Sequence, residues 1–197
     1  MKAYPFIVLE GLSGVGKSTI ARLLAQRLGG CSYITPPPSY RQNREAIDAS
    51  MPLPARYLYY LSGLVAASAE IRALRRSGPV VCDRFALTTE CFHRAAGLVI
   101  PFCHVTLQLE RPTLQVLIAV PTEQRVTRLE ERGLSFNDRW ERADGLEDRM
   151  LGDYRRHGLV EISNASPDPA DAAHAVLELL RRGRGDRTRA CRREARS

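Results

Sequence analysis

A three-layer α/β domain, with a parallel sheet buried between helices, is predicted by three features of the chain. Short apolar runs of strand length alternate with segments of helical periodicity. No internal repeat is present. A glycine-rich loop joins the first apolar run to the first helical segment. Residues 4–9 (YPFIVL) are rich in strand formers and make the first strand. From Lys17 the period changes: Ile20, Leu23, Leu24 and Leu28 recur on one helical face, and Gly29-Gly30 stops the helix. Residues 31–35 form a second short strand, ended by Pro36-Pro37-Pro38, which have no N–H to give to a central ladder. A long helix follows over 55–76, then a turn at Gly78-Pro79 and a buried strand at Val80–Asp83. Helical segments are expected over 86–98 and within 102–110, and a further apolar run spans 114–120. Charged helices cover 122–132 and 138–157, residues 159–162 are the last strand, and 167–182 is a terminal helix with Ser166 as its N-cap.

Composition narrows the function before any motif is considered. Of 197 residues, 44% are hydrophobic and 26% charged, which excludes disordered and fibrous classes. The longest stretches without a charge, 57–69 and 95–109, are shorter than the roughly 20 residues of a membrane span, so no membrane association is expected. Six of the seven net positive charges lie in residues 181–197, where eight arginines face only Asp186 and Glu194. Residues 1–180 carry the remaining charge, about +1, and the body of the domain, 1–182, is therefore electrically ordinary apart from Arg181 and Arg182 at its end. Residues 183–197 read as an Arg-rich, disordered, solvated tail, whose only nucleic-acid role would be weak polyanion contact. Five cysteines without a C-x-x-C pair indicate neither a disulfide framework nor a zinc site, and a reducing cytoplasm fits them. Only Lys2 and Lys17 are lysines among 29 basic residues, so a lysine retained at 17 invites a chemical reason.

That reason is the motif around it. Gly11-Leu12-Ser13-Gly14-Val15-Gly16-Lys17-Ser18 matches G-x-x-x-x-G-K-[ST]. Glycines let successive backbone N–H groups from Ser13 to Thr19 turn inward on a phosphate chain, and the helix N-terminus adds its positive end. Lys17 reaches the terminal phosphates and the Ser18 hydroxyl can ligate magnesium, so ATP and Mg2+ are the expected cofactors. Asp83 closes a buried strand at the sheet edge where such folds gather ligands. It can hold magnesium, accept a proton, or simply cap the next helix; Arg84 beside it suits a phosphate. Arg128, Arg132 and Arg139 flank a loop, either as a lid (about 128–142) that stabilises transferred charge or as part of a salt-bridged face with Glu130, Glu131, Glu141 and Arg142. The four histidines lack metal or triad spacing, and only His93, ten residues past Asp83, stands near the predicted site. Trp140, Met150 and Tyr154 fit core packing.

Taken together, FIVLEGLSGVGKST, VVCDRF, RLEERG with DRWE, and VEISNAS resemble, in order and over residues 4–182, the thymidylate kinase family of P-loop nucleoside monophosphate kinases. The resemblance implies a P-loop kinase fold with a lid, five parallel strands in the order 2-3-1-4-5, Mg-ATP as donor, a small-molecule phosphate acceptor and, in many members, a homodimer. It implies that Asn164, Ala165 and Ser166 border the adenine, and that Phe85, in the Asp-Arg-aromatic motif, faces the acceptor. Three acceptor-side positions depart from the family's pattern. Thr35-Pro36-Pro37-Pro38 stands where an Arg-Glu-Pro motif is usual, leaving Arg41 and Arg44 as the nearby cations. The thymine-contacting arginine aligns near Gly63, and the base-reading glutamine aligns with His93. The expected activity is transfer of the γ-phosphate of ATP to a nucleoside monophosphate or nucleotide-like acceptor, with dTMP not the best one. Its rivals are a hydroxyl kinase for a nucleoside, sugar or specialised metabolite, with Asp83 as base, and a non-catalytic NTP-binding protein.

Overall fold

The computed structural model describes residues 3–99, 108–143 and 145–194, with side chains described as far as residue 183. Its elements are β1 (Phe6–Glu10), α1 (Lys17–Leu28), β2 (Cys31–Ile34), α2 (Pro38–Arg41), α3 (Arg44–Ser50), α4 (Leu53–Leu74), β3 (Val80–Asp83), α5 (Ala86–Ala95), β4 (Leu114–Ala119), α6 (Thr122–Arg132), α7 (Phe136–Glu141), α8 (Leu146–Arg156), β5 (Val160–Ser163) and α9 (Pro169–Glu194). The strands form one parallel sheet in the order β2-β3-β1-β4-β5, the order the resemblance implied.

Strand alternation divides the core in two. Ile7, Leu9 and Val81 face one side, with Ile20 and Leu24 of α1, Met150 and Tyr154 of α8, and Val176 of α9. Phe6, Val8, Val80 and Cys82 face the other, with Leu61, Leu64 and Ile71 of α4. Apolar side chains cover both faces, which is why β1 is apolar from Phe6 to Leu9 and buried along its whole length, including Glu10 at its carboxyl end. In register, Leu9 lies beside Asp83. The carboxyl ends of β1 and β3 therefore open on the same edge, and the loop after β1 runs directly into α1.

Several elements differ from the sequence expectation, each for a local reason. Helices α2 and α3 went unpredicted because they carry almost no apolar periodicity; Asp48 is the one buried residue of α3. The expected helix over 138–157 is two helices, broken at Gly145, whose φ of 67° an L side chain rarely adopts. The N-cap of α9 is Asp168, which accepts from the Ala170 N–H at 2.8 Å. Ser166 instead donates its hydroxyl to Asp171. The tail expected to be disordered from residue 183 is helical through Glu194, consistent with the good helix propensity of arginine and alanine. The helical expectation within 102–110 falls mainly on residues outside the described ones. No helix among the described residues is long and apolar enough to cross a membrane.

Candidate active site

The loop after β1 is built for close approach. Gly14 and Gly16 have φ of 83° and 90°, and a Cβ at either would stand 2.7 Å from Leu129 Cγ or 2.4 Å from Asn164 Nδ2. Only glycine satisfies both the backbone and the space. Helix α1 then starts at Lys17 with Gly16 as its N-cap. Around this start lies a cleft of about 330 Å3 lined by Ser13, Gly14, Gly16, Lys17, Ser18, Thr19, Asp83, Arg84, Arg128 and Arg132. Ten of the sequence-predicted residues are thus brought together.

Lys17 is buried, and its ammonium donates to the Leu12 carbonyl at 2.6 Å. Burial, reinforced by the Arg84 charge, brings its pKa down to about 7, against the opposing pull of Asp83, Glu141 and Glu10. Ser18 donates its hydroxyl to one oxygen of Asp83, while the other, Oδ1, is buried without a partner among the described residues. Arg84 holds a left-handed φ of 68°, uncommon for a residue with a Cβ, and donates to the Gly11 carbonyl and to Ser13 Oγ, both at 3.0 Å. Arg128 donates to the Asn164 carbonyl at 3.1 Å, and Arg132 pairs with Asp138 at 2.7 Å.

Beside the cleft is a cavity of about 630 Å3, and Ser13, Asp83, Arg84 and Arg132 line both. Arg44 and His93 reach this cavity as expected. So does Arg56, which the sequence analysis did not single out. Its buried guanidinium lies 3.7 Å over the Trp140 ring and 3.1 Å from Asp48. Asp48 is the hub of this wall: Tyr60 and Asn137 each donate to it at 2.8 Å, and Arg44 pairs with it at 3.5 Å. Arg56 Nε, Asn137 Oδ1 and His93 Nε2 are buried polar atoms without partners among the described residues. The Thr89 carbonyl accepts from His93 Nδ1 at 2.7 Å, so Nδ1 carries the proton and Nε2 is an acceptor. Burial pushes the His93 pKa down to about 4, aided by Arg56 and opposed by the Thr89 hydrogen bond and Asp48.

Other sequence-predicted residues stand elsewhere. Phe85 is in the core, edge-on to Phe6 at 5.2 Å, because the strand end turns its ring inward. Arg41 turns back to the Pro36 and Ile34 carbonyls. Arg139 is exposed, on the outer face of α7, with the Leu134 carbonyl at 3.4 Å. Gly63 is covered by Tyr40 and Pro36 and does not line the cavity, whereas Arg56, seven residues and two turns earlier on α4, does. Asn164 supports the loop from behind, donating to the Val15 carbonyl at 2.9 Å. The Val15 side chain is in the core, and neither Ala165 nor Ser166 lines the cleft. Trp140, expected only to pack, carries Arg56, and Met150 borders the cavity as well as the core. Glycine spacing marked the donor side; no spacing marks Arg56, since it is one of many arginines on charged or amphipathic helices.

A parallel sheet that opens on a glycine cradle, with a lysine at the helix start and a second cavity sharing its wall, defines a P-loop phosphotransferase domain. A family model described as thymidylate kinase matches residues 9–152. The thymidylate kinase of Caulobacter vibrioides is 30% identical over 194 residues, covering 88% of this chain and 89% of that protein. In fold, the chain is similar to thymidylate kinase from Candida albicans (TM-score 0.69, 13% identity, covering 92% and 93% of the two chains). It is also similar to deoxyadenosine kinase from M. mycoides (TM-score 0.63, 17% identity, 89% and 99%). The chain belongs to the thymidylate kinase family and is an ATP-dependent kinase of that type. Kinases of this family use ATP and a divalent metal.

Proposed function

We propose that the protein transfers the γ-phosphoryl group of Mg-ATP to a nucleoside monophosphate or close relative, in the cytoplasm. The observation that carries this reading is the wall of Ser13, Asp83, Arg84 and Arg132 common to cleft and cavity, since two reactants seated on either side would meet there. The cleft suits the donor. Ser18 and the unpartnered Asp83 Oδ1 are a hard-oxygen pair that fits magnesium, which when bound neutralises phosphate charge. Lys17 holds the terminal phosphates, and Arg84, Arg128 and Arg132 stabilise the negative charge that spreads over the oxygens in transfer. An acceptor phosphate is already anionic, so no residue is needed to take a proton at that step.

The cavity suits the acceptor. Arg56 Nε–H offers a donor while His93 Nε2 and Asn137 Oδ1 offer acceptors, between Tyr60 and Phe92. A planar base that accepts from Arg56 and donates one N–H to His93 and another to Asn137 satisfies them, whereas leaving them unpaired costs about 1–3 kcal/mol each. His93 supplies only an acceptor where glutamine would supply both kinds, and dTMP is therefore not expected to be preferred. Incubation with Mg-ATP and dTMP, dUMP, dCMP, UMP, CMP, AMP, thymidine and amino sugars, followed by phosphorus NMR, tests both points. A diphosphate product supports the reading and ADP with inorganic phosphate alone overturns it. A preference for dTMP above tenfold overturns the acceptor argument. The unpartnered Asp83 Oδ1 also favours a second reading, transfer to a hydroxyl with Asp83 as base, for which the product is a phosphorylated alcohol.

A further inference from the structure

One residue of the cradle is held from four directions by side chains. The Ser13 N–H donates to Glu141 Oε1 at 2.7 Å and its hydroxyl to Glu141 Oε2 at 3.0 Å. Its carbonyl accepts from Arg125 at 3.2 Å, and Arg84 donates to its hydroxyl at 3.0 Å. Arg125 and Glu141 are themselves 3.5 Å apart, with side chains 2% and 5% exposed, and Arg125 also donates to Glu147. A buried pair of this kind is poor evidence for stability, because desolvation offsets most of the attraction. Its geometry is informative in another way. The Ser13 N–H, the first of the loop, is taken by a carboxylate, so the loop's conformation is set by protein groups before any phosphate arrives.

The two partners also lie on the helices either side of residues 133–135. Arg125, Arg128 and Arg132 follow one another at i, i+3 and i+7 on α6, hence on one face. Fixing Arg125 to the loop fixes the depth at which Arg128 and Arg132 enter the cleft. We infer that Arg125 and Glu141 are positioning residues: a buried clamp on Ser13 that holds the phosphate cradle in its binding shape and registers the α6 arginines against it. This rests on the cleft being the nucleotide site, as proposed above.

Arg125 lines neither the cleft nor the acceptor cavity, so it is the residue to change. Arg125→Met, Arg125→Lys and Arg125→Met/Glu147→Gln are compared with the wild type by calorimetric titration of MgADP, by steady-state kinetics and by thermal unfolding. MgADP binding needs no acceptor; if the wild type binds MgADP without transferring phosphate, the transfer reading fails and the clamp remains testable. The expected result is a rise of about tenfold or more in the MgADP dissociation constant and in KM for ATP, an acceptor KM within twofold, and partial recovery in Arg125→Lys. The double variant relieves the unpaired Glu147 and keeps the fold if Arg125→Met alone does not. A merely structural Arg125 would lower the fraction of active protein, and hence the rate, without moving either constant. Unchanged MgADP affinity in any folded variant that lacks the guanidinium overturns the clamp.

Discussion

Replacing Arg56 by methionine separates stability from acceptor recognition, because the guanidinium serves both through different atoms. In the ion pair, Arg56 and Asp48 have side chains 2% and 3% exposed. Removing the cation from a buried pair typically costs about 3–5 kcal/mol, since the partner is left uncompensated. Asp48 keeps Tyr60, Asn137 and Arg44, which puts the loss at the low end, about 3 kcal/mol. Methionine retains part of the contact with Trp140. Against a total stability of about 5–15 kcal/mol the variant folds, with Tm lower by roughly 6–12 °C. Acceptor binding responds differently. Losing a charge-assisted bond from the unpartnered Nε costs about 1.5–3 kcal/mol, or roughly 10- to 150-fold in acceptor KM. Arg56 does not line the donor cleft, so KM for ATP stays the same. The assay is steady-state kinetics with each substrate varied in turn, beside thermal melts. Arg56→Lys restores the charge beside Asp48 but not the guanidinium Nε–H, and so recovers stability more than acceptor KM. A folded Arg56→Met enzyme with acceptor KM within twofold of wild type would refute the argument.

Lys17→Met is expected to lower turnover about a thousandfold or more while the protein still folds; an unchanged rate in folded protein rejects the phosphate-binding role of the loop. His93 has a folded pKa of about 4 against 6.5 in the unfolded chain, so the unfolded chain binds more protons between them. Its contribution to stability is full above pH 6.5 and is lost as pH falls to 4, about 3 kcal/mol in all, and His93→Gln should flatten that limb of a pH series of denaturant melts. Deleting residues 184–197 is expected to leave kcat and KM within about twofold, since that stretch has no apolar face for docking; a larger change in either constant shows that it takes part.

The legible and illegible parts of the site differ in how far apart their residues lie along the chain. Ser13 to Thr19 form a contiguous cradle, so glycine spacing alone announced it, and Asp83 was readable because a carboxylate at the end of an apolar run must emerge at the sheet edge. Arg128 and Arg132 were readable as cations near a loop, but so was Arg139, and nothing in the spacing says that α7 turns Arg139 outward. Glu141 was read as one charge of a solvated face; it is buried against Ser13, 128 residues away.

By itself the sequence determined the strand and helix alternation, the phosphate cradle and the side of the sheet on which it opens. These depend on period, glycine φ and residues within a few positions of one another, which short-range sterics and hydrogen bonding enforce. Tertiary structure alone decided which arginines are buried. Arg56 and Arg125 are chemically identical to the exposed Arg139 and Arg181, and what separates them is the arrival of Trp140 and Asp48 at one, and of the Ser13 carbonyl, Glu141 and Glu147 at the other. A guanidinium leaves water only where enough partners converge to replace its hydration, and that convergence is a property of packed elements rather than of any local stretch of chain.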